Sequence, residues 1–224
     1  MKIINVGASV TASNDRDAAL LREELSAKGQ LMVNLMSSPG SGKTTLLSRL
    51  IKDMPEVKIA VMEADIESAV DAERIEALGA QAIQVHTDGM CHMDAGMTRA
   101  SLEALEEDGA QLIFLENVGN LICPAEYDTG AGLDMMILSV PEGDDKPLKY
   151  PLMFAKSHAL VITKTDALPY FRFDTDLCAA RAKKLNPDIH VFPVSAKTGE
   201  GMAELEEWLR RKLAAWQAGT RKEA

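Results

Sequence analysis

Cysteine is scarce in this chain: Cys91, Cys123 and Cys178 are the only three among 224 residues. They are too few and too scattered for a disulfide framework, which points to a reducing compartment. Positive charge is also in deficit, with 24 Lys and Arg against 34 Asp and Glu and a formal net charge of −10. That balance argues against nucleic acid as a partner and against a polybasic membrane-docking surface. There is no run of 18 apolar residues, so no membrane-spanning helix is expected. The first ten residues, MKIINVGASV, lack the layout of a secretory signal. Internal repeats and low-complexity segments are missing too. These absences leave a cytoplasmic globular protein as the expectation.

What is present is enough apolar material, 46% of the chain, for one well-packed domain. Residues 12–28 read as an acidic amphipathic helix with Leu20, Leu21 and Leu25 on one side, Asn14 as its N-cap and Gly29 as its stop. Strand-like runs follow at 31–36, 57–64, 82–85, 111–117, 135–140, 159–163 and 190–195. Helical periodicity fills the gaps at 44–53, 69–78, 94–107, 174–185 and 201–216. Strands apolar on both faces that alternate with helices imply an α/β fold, a mostly parallel sheet with helices on both faces. The expected organisation is an N-terminal extension and helix over 1–30, one domain over 31–217, and a tail over 218–224.

The stretch SSPGSGKTT, residues 37–45, lies between the first strong strand and a helix. It fits a phosphate-binding loop, with Ser37 in place of the first glycine of G-x-x-x-x-G-K-[ST]. Gly40 and Gly42 let the amides of the loop, Ser41 and Thr45 included, curl around phosphate oxygens at a helix N-terminus. Lys43 supplies a point charge to β- and γ-phosphates, and the Thr44 hydroxyl suits Mg²⁺. Two acidic candidates for the metal shell and the chemistry follow at strand ends, Asp65 and Glu116. The spacing Glu116-x-x-Gly119 resembles the DxxG element of GTPases, in which the glycine amide meets a γ-phosphate.

The base is read from two further pieces. Thr163-Lys164-Thr165-Asp166 ends an apolar strand where GTPases carry N-K-x-D. An Asp166 carboxylate accepts from guanine N1–H and N2–H₂, which adenine cannot offer, while the Lys164 stem packs on the base. Ser195-Ala196-Lys197 resembles the S-A-K element, in which the Ala196 amide faces guanine O6. Together they favour GTP and GDP over adenine nucleotides. Thr163 is a departure from the asparagine of that pattern.

In TDGMCHMDAG, residues 87–96, Cys91 and His92 sit side by side before a helix. Cys123 follows the ENVG element, in NLICPAEYD. Thiolate and imidazole suit Ni²⁺ or Zn²⁺ and not Mg²⁺ or Ca²⁺. Three ligands are too few for a closed structural zinc site, whereas a two-fold dimer pairing these loops brings enough together. Cys178, inside a helix, reads as a core residue.

The set SSPGSGKTT, DAERI, CHMDA, ENVGNLICPAEYD, EGDDKPLKYP, TKTDALPYF and VSAKTGEGM resembles the hydrogenase-maturation nickel-insertion GTPases, the HypB family, over nearly all of residues 10–213. The resemblance implies a SIMIBI-class P-loop GTPase that dimerises when GTP binds, and a slow GTPase switch is the expectation. It implies a metal site from Cys91, His92 and Cys123 at the dimer interface, and a dimer contact that includes Leu168 to Phe171. Its implied partners are a zinc-containing accessory protein and the hydrogenase large-subunit precursor. Neither the Cys-rich N-terminal motif nor the His-rich tract of some members occurs here, which implies a delivery site without a nickel store. The urease nickel-insertion GTPases, the nearest alternative, use Cys-Pro-His where Cys91 and His92 are adjacent. MinD-like ATPases carry an early lysine where this chain has Ser38. The remaining alternatives are a nickel-binding chaperone with incidental turnover and a P-loop phosphotransferase with a structural Cys–His pair.

Overall fold

The computed structural model describes residues 7–64, 74–105 and 109–219. The expected metal-shell residue Asp65, most of the DAERI motif, much of the 69–78 helix and the 220–224 end of the tail lie outside the described residues.

Apolar runs become strands where the sequence places them. They are β1 (Leu31–Ser37), β2 (Ile59–Glu63), β3 (Gln81–Gln84), β4 (Leu112–Glu116), β5 (Leu133–Ser139), β6 (Ala159–Thr163) and β7 (His190–Pro193). All pairs are parallel, in the order β3-β2-β4-β1-β5-β6-β7. A parallel sheet carries helices on both faces, which is why its central strands are apolar throughout.

The helices are α1 (Gly7–Ala27), α2 (Lys43–Asp53), α3 (Ala95–Ala104), α4 (Cys123–Glu126), α5 (Lys146–Lys149), α6 (Pro151–Lys156), α7 (Thr175–Leu185) and α8 (Met202–Gln217). Alternate residues of β1 divide the core. Leu31, Val33 and Leu35 pack with Leu46 and Leu50 of α2 and Trp208 of α8. Met32, on the other face, joins Leu21 and Leu25 of α1 and Leu102 of α3. Met36 meets Phe154 of α6 and Cys178 of α7. Burial pushes the Cys178 thiol up to about 12, as suits a core cysteine.

One helix start is corrected. α1 begins at Gly7, seven residues ahead of the expected N-cap, so Asn14 lies inside the helix. Its side chain makes tertiary bonds instead: Oδ1 accepts from Ala95 N at 2.9 Å, and Nδ2 donates to Asp128 O at 2.9 Å. The far end behaves as expected. Gly29 has φ +68° and its amide donates to Ser26 O, while Gln30 N closes on Leu25 O.

Because every strand points the same way, the loops after β1, β4, β6 and β7 gather at the carboxyl edge. β1 lies between β4 and β5, so the connections lead to opposite sides of it and a crevice opens outside its end, where α/β sheets bind ligands.

Candidate functional site

That crevice holds a cleft of about 420 Å³ lined by Gly40, Gly42, Lys43, Thr44, Glu116, Gly119 and Lys164, among others. A larger cavity of about 630 Å³ opens near Ile51, Lys58 and Leu78, where none of the phosphate-binding or thiol candidates lies.

Ser37 explains why the first glycine of the phosphate loop can be absent. It is the last residue of β1, paired with Ile137, and has no left-handed backbone for which glycine is needed. Its hydroxyl accepts from Lys43 Nζ at 2.8 Å and from Ser41 Oγ at 2.8 Å, and donates to Ser38 O. Gly42, in contrast, sits at φ +95° as the residue that opens α2. Lys43 is 8% exposed, and its Nζ lies 3.7 Å from Glu116 Oε1. A fixed cation, a helix N-terminus and a carboxylate therefore converge on one cleft, a geometry that suits a polyphosphate with a hard cation.

Gly119 lies against the same loop. A Cβ there would stand 3.0 Å from Pro39 Cγ and 3.2 Å from Pro39 N, so a side chain could enter only by displacing the loop.

The two base-reading segments are fastened together and to the phosphate loop. Ser195 Oγ donates to Asp166 Oδ1 at 2.8 Å, Thr165 N donates to Val194 O, and Lys197 Nζ stands 4.0 Å from Asp166 Oδ2. Arg49 of α2 reaches the Ala196 carbonyl at 3.4 Å. Lys164, with φ +60°, donates from Nζ to Gly40 O at 2.7 Å, which lays its stem over the loop.

Thr163 has a defined task as well. Its buried hydroxyl donates to Ser41 O at 2.7 Å, joining the end of β6 to the phosphate loop. Thr163→Val leaves that carbonyl without its donor at unchanged shape. The expected loss is about 1–3 kcal/mol of unfolding free energy, with weakened nucleotide binding, and Thr163→Ser retains both. Urea denaturation and nucleotide titration of the two variants check this.

The third group is the thiol and imidazole set. Cys91 is exposed, Cys123 is half-buried at the start of α4, and His92 is 5% exposed. Cys91 Sγ lies 3.7 Å from His92 Nδ1. The His92 ring stacks on Tyr127 with centroids 3.7 Å apart and planes 14° from parallel. Burial holds the His92 pKa below its ordinary value, which favours the neutral, ligand-competent imidazole. A hydrogen bond with Cys91, followed by burial, raises the Cys123 thiol. The Cys123 thiol thus lies within electrostatic reach of Cys91. Among the described residues, however, no three His, Cys, Asp or Glu side chains converge as a set that could hold a metal ion.

Several contributors are invisible to motif reading: Ser37 as the lysine's acceptor, Tyr127 under His92, and the asparagines 117 and 120. Asn117 Oδ1 accepts from Met93 N at 3.1 Å and Val118 N at 2.9 Å. Its Nδ2 donates to Asn34 Oδ1 at 3.0 Å, and Asn34 Nδ2 donates to Asp134 Oδ1 at 2.9 Å. The glycine-proximal asparagines offered only a turn signal in sequence.

A family model described as CobW/HypB/UreG, nucleotide-binding domain, matches residues 31–193. The chain is 45% identical over 215 residues to hydrogenase maturation factor HypB of Azotobacter chroococcum, covering 96% of this chain and 70% of that protein. The crystal structure of HypB from Helicobacter pylori in complex with nickel superposes with a TM-score of 0.86 at 37% identity, covering 90% of this chain and 95% of that one. HypB from Archaeoglobus fulgidus superposes with a TM-score of 0.84 at 37% identity, over 90% and 99% of the two chains. The expected α/β fold with a parallel, doubly covered sheet, of the SIMIBI P-loop type, is the fold observed. The chain belongs to the CobW/HypB/UreG nucleotide-binding domain family, in its HypB branch.

Proposed function

We propose that the chain is a GTP-hydrolysing metallochaperone that delivers nickel during hydrogenase maturation, with nucleotide state controlling a thiol-based metal site. One observation carries this reading: segment 116–123 runs from the phosphate cleft to the thiol pair. Glu116 faces Lys43, Gly119 abuts Pro39, and four residues beyond Gly119 lies Cys123, whose thiol is perturbed by Cys91. The two sites therefore share one short stretch of backbone.

In this reading Lys43 and the amides of Ser41 to Thr45 hold the β- and γ-phosphates at the N-terminus of α2. Asp166 and Ala196 read guanine, and Lys164 packs on it. The Gly119 amide faces the γ-phosphate. Thr44 and Glu116 offer the hard oxygen donors that fit Mg²⁺, with Asp65 as the third expected ligand. When bound, Mg²⁺ neutralises charge between the β- and γ-phosphates.

Nickel is the cargo. Cys91, His92 and Cys123 supply borderline donors suited to Ni²⁺, and equally to Zn²⁺. Two copies meeting across a two-fold axis complete the coordination that one copy lacks. The 168–171 segment belongs to that contact, and its Tyr170 is 83% exposed. GTP favours the closed dimer with the site assembled; hydrolysis loosens both. The nickel passes to the hydrogenase large-subunit precursor with the help of a zinc-containing accessory protein, in the cytoplasm. No helix among the described residues is long and apolar enough to cross a membrane.

The test is a competitive nickel titration with GDP and with a non-hydrolysable GTP analogue, following mass in solution. Nickel affinity and dimer fraction are expected to rise together with the analogue, by about 5- to 150-fold in affinity. Cys123→Ala is expected to abolish the difference. Equal affinity and equal mass in both nucleotides would overturn the reading.

A further inference from the structure

Cys91 and Cys123 are 32 positions apart in the chain and sit on different segments. Thiols on separate segments pair only if something fixes the distance between their backbones. One side chain touches both. Asn120 Nδ2 donates to the Cys91 carbonyl. Asn120 Oδ1 accepts from Ile122 N at 3.0 Å and Cys123 N at 2.9 Å, capping the turn that opens α4. Both ends of one amide are thus committed, one to each thiol-bearing residue. The orientation is unambiguous, because the partners on one side are donors and the partner on the other is an acceptor.

The rest of the 91–93 stretch is held from the same segment. Asn117 takes Met93 N, and His92 between them is fixed by its stack on Tyr127. Asn120 also follows Gly119 directly, so its backbone is anchored one peptide away from the contact with Pro39.

We propose that Asn120 is a positioning residue that holds Cys91 and Cys123 as a pair, through a clasp on the Cys91 carbonyl and a cap on the Cys123 amide. It ligates nothing itself. As a device for nickel binding it rests on the function proposed above; as a device for pairing the thiols it does not. Groups that orient metal ligands typically contribute about 10–100-fold to metal affinity.

Two variants separate the two halves of the device. Asn120→Ala removes clasp and cap. Asn120→Asp keeps an oxygen to cap Cys123 N but has no donor for the Cys91 carbonyl. The first readout needs no metal. In a buffer of reduced and oxidised glutathione, oxidised glutathione takes two electrons from Cys91 and Cys123, giving one protein disulfide and two reduced glutathiones. The equilibrium, read by mass on monomeric full-length protein, reports how closely the thiols are held. Both variants are expected to shift it by about tenfold or more towards the reduced form, with GDP affinity and thermal midpoint reporting that the fold is intact. The second readout is nickel: both variants are expected to bind about tenfold or more weakly, with reduced sulfur-to-nickel charge-transfer absorbance per bound ion.

A wild-type disulfide equilibrium in Asn120→Ala would overturn the proposal. A wild-type equilibrium in Asn120→Asp alone would overturn the clasp and leave a simple helix cap. If the wild-type protein takes up no nickel while the variants still loosen the thiol pair, the positioning role stands and the nickel function fails.

Discussion

Lys43→Ala is expected to lower GTP turnover by about 100- to 1,000-fold, the cost of removing one preorganised charge stabiliser from a transition state. The argument starts from how firmly this lysine is held. Its Nζ is bound to Ser37 Oγ at 2.8 Å, stands 3.7 Å from Glu116 Oε1, and the residue is 8% exposed. A cation placed before substrate arrives loses little entropy and undergoes little reorganisation as charge builds on the transferring phosphoryl group. Alanine removes the charge and leaves the helix start and its amides, so nucleotide binding weakens less than turnover falls. Lys43→Arg is not expected to rescue. The Ser37 hydroxyl receives a compact ammonium, and a planar guanidinium of different reach cannot reproduce that contact. Single-turnover phosphate release at saturating GTP, with melting curves to show that both variants fold, is the measurement. Wild-type release in Lys43→Ala would remove this lysine from the chemistry.

Much of the fold and part of the site were legible in the sequence, for reasons tied to the sheet. Parallel strands buried on both faces leave continuous apolar runs, so β1, β5 and β6 stand out without any help from turns. Amphipathic helices of several turns leave a period, and α2, α7 and α8 were found within a residue or two of their ends. The pieces α4, α5 and α6 were not found, because four to six residues carry no period and each has a proline in its first turn. Asn14 shows the limit of local signals. Its side chain satisfied the requirements of a cap, yet its partners, Ala95 N and Asp128 O, lie on distant segments. The same limit hid Asn117 and Asn120, whose bonds to the 91–93 stretch span 24 and 29 positions. The candidate binding residues were readable from chemistry and spacing; those that position them were not, since their roles exist only once the chain has folded. Ser37 and Thr163 are the instructive pair. Each is a departure from a motif in sequence, and each makes a hydroxyl hydrogen bond to a neighbouring part of the phosphate loop in the structure.

Asp166→Asn is expected to exchange the base that the protein prefers, from guanine to xanthine. In the native chain Oδ1 of Asp166 is occupied by the Ser195 hydroxyl at 2.8 Å, leaving Oδ2 for the ligand. Lys197, 83% exposed along its side chain and 4.0 Å away, can swing clear of Oδ2. A guanine presents N1–H and N2–H₂, two donors that a carboxylate oxygen accepts with its charge. An asparagine at this position keeps its own oxygen on the Ser195 hydroxyl, because only that atom can accept there, and so turns its amide nitrogen towards the base. Donor then meets donor, and GTP loses charge-assisted bonds that contribute about 1.5–3 kcal/mol each. Two such bonds correspond to a loss of affinity of about 100-fold or more. Xanthine carries an oxygen where guanine carries N2–H₂, so the amide donor regains a partner and XTP binding rises as GTP binding falls. The orientation is imposed by Ser195, which gives an internal control: Ser195→Ala in the Asp166→Asn background frees the amide to flip and is expected to erase the preference. Competition of GTP, XTP and ATP against a fluorescent GDP reads all three affinities. Loss of GTP with no gain of XTP would show that Asp166 supports the loop without reading the base. A protein indifferent to the substitution would send the search for the base-reading carboxylate elsewhere on the carboxyl edge.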